Sequence, residues 1–272
     1  MNSPAEVAKN YVGIGTNKVN TPIVKMFFLA ILAGAFIALA GVGATTASST
    51  IDSASVAKFV GACVFPGGLA MVLVAGSELF TGNCLIVIPL MEKAVSVGGM
   101  LKNWVVVWLG NLVGGLLVAG GTVACHQGSL FSNTVAVANI STAVAKCSMS
   151  FGDAFIKGIF CNFLVCIAVW MAFAAKSVGG KIIGLFFPIM LFVLEGYEHS
   201  VANMYYIGVG LFAKGNAAYA QAAVDAGVDL TNLTWAKFFS ANLLPVTLGN
   251  IVGGVIVGLI YWYVYLQGKK EA

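Results

Sequence analysis

The chain has 272 residues, 60% of them hydrophobic and only 9% charged, with a mean hydropathy of +0.95 and a formal net charge of +4. A soluble domain carries roughly 25% charged residues, so this composition excludes a soluble globular protein and reads as an integral membrane protein. Every basic residue is a lysine. The sparse, unclustered positive charge argues against nucleic-acid binding.

The amino-terminal stretch "MNSPAEVAKNYVGIGTNKVNTPIVK" is polar throughout. It shows no signal-peptide pattern and is read as a cytoplasmic segment, residues 1–25, acting as an amphipathic anchor rather than a plug. Six apolar runs follow, at about 26–47, 59–91, 103–124, 154–175, 182–213 and 238–266. A spanning helix needs about 20 residues, so the first, third and fourth fit directly. The second and fifth would each be about 50 Å long as straight helices, against a hydrocarbon core of about 30 Å. Both carry glycine and polar residues halfway, so each is expected to be a helix broken at mid-membrane. Such backbone is tolerated only where it is buried in protein or lines a cavity. One transmembrane domain, 26–266, and a short cytoplasmic tail, 267–272, complete this reading. Nine lysines fall on one side of the topology and five on the other, which places both termini in the cytoplasm.

The halves echo each other, as repeats at about 26–124 and 154–266. "GNLVGG", Gly110 to Gly115, returns as "GNIVGG", Gly249 to Gly254. "ELFTGN", Glu78 to Asn83, parallels "EHSVAN", Glu198 to Asn203, and a Phe-Pro pair precedes each. Three segments per copy require the second copy to enter from the opposite side, which makes an inverted 3+3 repeat. In transporters such a repeat puts the functional site at the repeat interface near the midplane. Gly114, Gly115, Gly253 and Gly254 are read as helix-packing positions. Asn111 and Asn250 must bond either to neighbouring backbone or to a permeant solute.

The second half of each broken segment is expected to start near Asn83 and Asn203. Helix starts carry partial positive charge, so two of them converging at mid-membrane favour an anion over a cation. Glu78 and Glu198 are read as holding the turns by accepting backbone N–H bonds. His199, one of two histidines, stands at a break and is a candidate hydrogen-bonding and proton-exchanging group, with the neutral imidazole favoured. Thr81, in the other break, is either a donor to a passing oxyanion or a local cap. The six cysteines lack metal or redox spacing, and the four in apolar segments read as small apolar residues. Cys125 and Cys147 flank an external loop, and their pairing is left open. No metal-ligand cluster or cofactor motif accompanies these residues.

The motifs "GSELFTGN" (76–83), "NWVVVWLGNLVGG" (103–115), "CNFLVCIAVWMA" (161–172), "GYEHSVANM" (196–204) and "NLLPVTLGNIVGG" (242–254) resemble the formate/nitrite transporter family. The likeness runs from about residue 20 onward and leans toward its clostridial hydrosulphide-channel branch. It implies an all-α, aquaporin-like protomer of six transmembrane segments, assembled as a homopentamer in the bacterial inner membrane. It also implies passage of small monovalent anions: hydrosulphide, formate, nitrite. By resemblance, His199 is the central pore histidine, Thr81 the break-loop threonine, Asn162 an asparagine of the fourth segment and Lys146 a vestibule cation. Leu79, Phe80, Phe65, Leu69 and Phe192 would form apolar constrictions. Glu195 departs from the pattern, where a neutral residue is expected. Two rival readings are an aquaporin-like channel for neutral solutes and an intramembrane enzyme using Glu198 and His199. The first lacks the Asn-Pro-Ala triplets of that family, and the second lacks any cofactor fingerprint.

Overall fold

A computed structural model describes residues 1–268, so most of the tail read as 267–272, with Lys269 and Lys270, lies outside the described residues. Every regular element among the described residues is helical. Among the described residues, five helices are long and apolar enough to cross a membrane: α2 (Ile23–Ser48), α3 (Ala54–Gly76), α5 (Val97–Ala124), α7 (Phe151–Ala174) and α11 (Trp235–Tyr265). The run 182–213 supplies no single helix of that length. It forms α8 (Val178–Leu194) and α9 (Ser200–Lys214), separated by irregular backbone. The run 59–91 is likewise divided between α3 and α4 (Phe80–Met91).

Helix α2 packs along α5, and α7 along α11. Glycine makes both approaches close. A Cβ placed on Gly114 would strike the carbonyl of Ile31, and one on Gly253 would strike the carbonyl of Ile159. These are corresponding residues of the GNxVGG repeat, so the motif acts as a packing surface in both places. Helices α4 and α9 sit between these pairs, and α9 is buried along most of its length.

Three elements differ from the sequence reading. The loop after α5 contains α6 (Thr134–Cys147), which packs on α9 and carries Lys146. A short helix, α10 (Ala217–Asp225), packs on α6. The amino-terminal segment is α1 (Pro4–Asn20), opened by a capping box in which Ser3 and Glu6 exchange bonds. Its apolar face, Val7, Tyr11, Gly15 and Val19, is buried against protein rather than offered to a membrane surface. Tyr11 donates to the carbonyl of Gly82 at 3.3 Å, which brings α1 up against α4. All six cysteines are free; Cys147 is buried and Cys125 exposed, so the open question of their pairing resolves to no bridge.

Candidate pore site

The two interruptions are built alike, starting from glycine. Gly76 (φ +88°), the last residue of α3, and Gly196 (φ +74°), two residues past the end of α8, adopt left-handed backbone. The next N–H closes back five residues in each case: Ser77 to the carbonyl of Val72 at 3.1 Å, and Tyr197 to that of Phe192 at 3.0 Å. This is a Schellman-type stop, where glycine carries no Cβ penalty. The chain then extends through Leu79 (φ −108°, ψ 123°) and His199 (φ −106°, ψ 114°), the residues before the new helix starts. Those starts are Phe80 and Ser200, three residues earlier than the expected Asn83 and Asn203.

The asparagines of the GNxVGG repeat bind these exposed ends. Asn111 Oδ1 accepts from the Phe80 N–H at 2.9 Å, while its Nδ2 donates to the carbonyls of Ala30 (2.7 Å) and Glu78 (2.9 Å). Asn250 Oδ1 accepts from the Ser200 N–H at 2.9 Å, and its Nδ2 donates to the carbonyls of Gly158 (2.8 Å) and Glu198 (3.0 Å). Each carboxamide thereby satisfies the N–H and the carbonyl that flank its break, and its second N–H donates to a carbonyl inside a neighbouring spanning helix. Asn111 and Asn250 are therefore backbone clamps.

The glutamates also brace the turns, but not through backbone N–H groups as expected. Glu78 accepts from Lys18 Nζ at 2.8 Å and from Asn83 Nδ2 at 2.7 Å, and Asn83 also donates to Asn103 Oδ1 at 2.9 Å. Glu198 accepts from Lys146 Nζ at 2.8 and 2.9 Å and from Asn203 Nδ2 at 2.6 Å, and Asn203 also donates to Asn242 Oδ1 at 2.7 Å. Buried carboxylates need charged or amide donors to remain in such a site. Asn103 donates to the carbonyl of Lys18, and Asn242 to that of Lys146. Lysine, glutamate and two asparagines thus form one unit on each side of the molecule. Lys18, Asn103 and Asn242 escaped the sequence reading. The asparagines had a signal, since each stands eight residues before the clamp asparagine of its repeat copy. Lys18 had none, because it lies outside the repeat.

The breaks meet at one contact. His199 Nδ1 accepts from the Ala202 N–H at 3.0 Å and caps α9. A neutral imidazole whose Nδ1 accepts carries its proton on Nε2. That nitrogen lies 2.8 Å from Thr81 Oγ1, so histidine donates and the threonine's own proton is free for another acceptor. Asn162 Nδ2 donates to the carbonyls of Thr81 (3.2 Å) and Asn250 (2.6 Å), which ties Thr81 to the opposite clamp.

A cavity of about 380 Å³ leads to this contact, with His199, Phe65, Phe192, Lys146, Glu198 and Tyr206 among its lining. Aromatic rings form a continuous path along it. Lys146 Nζ stands 5.7 Å over the Tyr206 ring; Tyr206 stacks on Phe65, Phe65 meets Phe192 edge-on, and Phe192 stacks on His199. Leu69, Leu79 and Phe80 are buried but do not line this cavity; Phe80 packs edge-on against Trp104. The site therefore joins Thr81, His199, Asn162, Phe65, Phe192 and Lys146, and leaves those three apart. Glu195 caps the end of α8 and is exposed, outside the cavity lining. Among the described residues, no cluster of three or more His, Cys, Asp or Glu is placed to hold a metal ion. The arrangement offers hydrogen-bond donors at the end of an apolar passage.

Known proteins resemble this chain over nearly its whole length. The pattern of the formate/nitrite transporter family matches residues 5–263. A probable formate transporter of Methanothermobacter thermautotrophicus is 40% identical, with 97% of each chain covered. The formate channel FocA of Escherichia coli (strain K12) is 37% identical, covering 97% of this chain and 94% of that one. Among solved structures, a pentameric formate channel with formate bound superposes with a TM-score of 0.80 at 33% identity, covering 90% of this chain and 98% of the other. An FNT family ion channel gives a TM-score of 0.79 at 33% identity, covering 96% and 97%. These relatives are channels and transporters, not enzymes. With its family pattern, full-length relatives and matching solved structures in agreement, this chain belongs to the formate/nitrite transporter family and is a multi-pass membrane protein.

Proposed function

We propose that the protein is a channel for small monovalent anions of formate's class, hydrosulphide and nitrite included. The observation that carries this reading is the 2.8 Å contact between Thr81 and His199, where the starts of α4 and α9 meet at the end of an aromatic passage. Helix starts supply unpaired N–H groups and partial positive charge, the His199 Nε2–H is a donor, and the free Thr81 proton is another. Such a point suits an oxyanion or a soft anion, and it penalises a cation.

In this reading the anion enters past Lys146, sheds water between Phe65 and Phe192, and rests against Thr81 and His199. Leu69, one helical turn beyond Phe65 on α3, extends the apolar lining past the cavity, and Leu79 and Phe80 form the constriction on the far side of the contact. Shedding water raises the anion's own affinity for a proton, so it crosses with a proton drawn from vestibule water. His199 serves as a hydrogen-bond donor, because proton uptake at Nδ1 would break the Ala202 cap. Glu78, Glu198, Asn83 and Asn203 hold the two turns. The paired clamps support an aquaporin-like inverted repeat of six segments, with α3–α4 and α8–α9 as the broken ones. The solved pentameric relative supports a homopentamer, and the Thr81–His199 contact within one chain supports a pore in each subunit. Both termini are assigned to the cytoplasmic side of the inner membrane.

Stopped-flow swelling of proteoliposomes tests the reading. Formate, nitrite and hydrosulphide should enter faster than through protein-free vesicles, and faster as external pH falls, whereas glycerol should not. Glycerol entry matching that of formate would instead support the neutral-solute channel.

A further inference from the structure

The vestibule's positive charge is unevenly employed. Lys146 is held by both oxygens of Glu198, at 2.8 and 2.9 Å, with side chains only 16% and 6% exposed. A cation so paired contributes little net field to an arriving anion. Lys58 lines the same cavity from α3, and no hydrogen bond or ion pair engages its amino group among the described residues. It reaches across the opening: a Cβ on Gly196, in the second break, would lie 4.0 Å from Lys58 Nζ. Ala54, Ala57, Lys58, Gly61 and Phe65 share one face of α3 and all line the cavity. At 1.5 Å rise per residue, Lys58 stands about 10 Å before Phe65 along that face.

We propose that Lys58 is the anion-capturing residue of this vestibule, the group that first holds a small monovalent anion before the Phe65–Phe192 passage. Lys146 then acts as the positioning partner of Glu198. The assignment rests on the anion-channel reading above. Charge bookkeeping supports it: the lining carries Lys58, Lys146 and Glu198, a net single positive charge that resides on Lys58. Two further charged groups lie close by without lining the cavity. Lys157 supplies its carbonyl to the Glu198 N–H at 3.3 Å, and Glu195 precedes Gly196 and is exposed. Lys157 therefore provides a control of equal charge outside the cavity.

Initial rates of formate uptake into proteoliposomes, measured over formate concentration at two ionic strengths, test the assignment. At about 10 mM inert salt, where the Debye length is about 30 Å, Lys58→Gln should raise the half-saturating concentration about three- to fivefold with little change in maximal rate. The difference should collapse at about 300 mM salt, because exposed charges are then screened. Lys58→Arg should behave as the parent, and Lys157→Gln should shift half-saturation less than about 1.5-fold, as expected of a charge outside the lining. Parent-like half-saturation in Lys58→Gln, or an equal effect of Lys157→Gln, would overturn the proposal. Failure of the parent protein to pass formate at all would instead reject the channel reading itself.

Discussion

At the residue scale, a charge inside a membrane protein survives only if its partners hold it, and the Lys146–Glu198 pair shows how. Glu198 is 6% exposed in its side chain, so removing the lysine leaves a buried carboxylate with amide donors alone. Breaking such a pair from one side costs about 3–5 kcal/mol, more than the pair contributes when intact. Lys146→Met should therefore lower the unfolding midpoint in detergent strongly. Lys146→Met combined with Glu198→Gln should be milder than the sum of the two single changes. Strict additivity in that double-mutant cycle would show that the residues do not act as a unit. The identity of this unit was only partly legible beforehand. Glu78, Glu198, Asn83 and Asn203 stand out as polar letters in apolar runs. Their bonding could not be read, because Lys18 and Lys146 reach them from α1 and α6, elements that no periodicity links to the breaks.

At the scale of elements, each interruption is a Schellman stop, an extended residue and a new helix start clamped by one carboxamide. The clamp uses both ends of its amide: one oxygen on an N–H, one nitrogen on two carbonyls. Asn250→Ala should cost about 1–3 kcal/mol through the backbone groups it leaves unpaired. Asn250→Asp should be worse despite its near-identical shape, since an oxygen would then face the carbonyls of Gly158 and Glu198. Thermal unfolding of the purified variants distinguishes these outcomes, and an aspartate variant more stable than the alanine one would contradict the clamp. Asn111 should show the same ranking. Hydropathy and length announced the breaks because about 50 Å of straight helix does not fit a 30 Å core. The start positions differ by three residues from the expected ones, because Asn83 and Asn203 lie inside the new helices rather than at their starts. They instead serve the glutamates, and the capping is done by Asn111, Asn250 and His199. Helices α6 and α10 were missed because each is short and lies beside the spanning bundle, leaving no long apolar signal.

On the scale of the whole molecule, large apolar side chains face outward along the spanning helices, such as Phe28, Leu117 and Ile183, each more than 60% exposed. Surface of that kind needs lipid or further copies of the chain to cover it. The proposed homopentamer should appear as a five-copy mass in native mass spectrometry from mild detergent, and a purely monomeric species would contradict it. What unites the scales is a single junction, where the two interrupted helices bring Thr81 against His199. The most direct test is formate flux through proteoliposomes of the parent, Thr81→Val and His199→Phe proteins at matched incorporation. Loss of a donor aimed at a desolvated anion should slow flux by about tenfold or more in each variant, the equivalent of about 1.4 kcal/mol. Flux unchanged by both substitutions would place selectivity elsewhere and contradict the account.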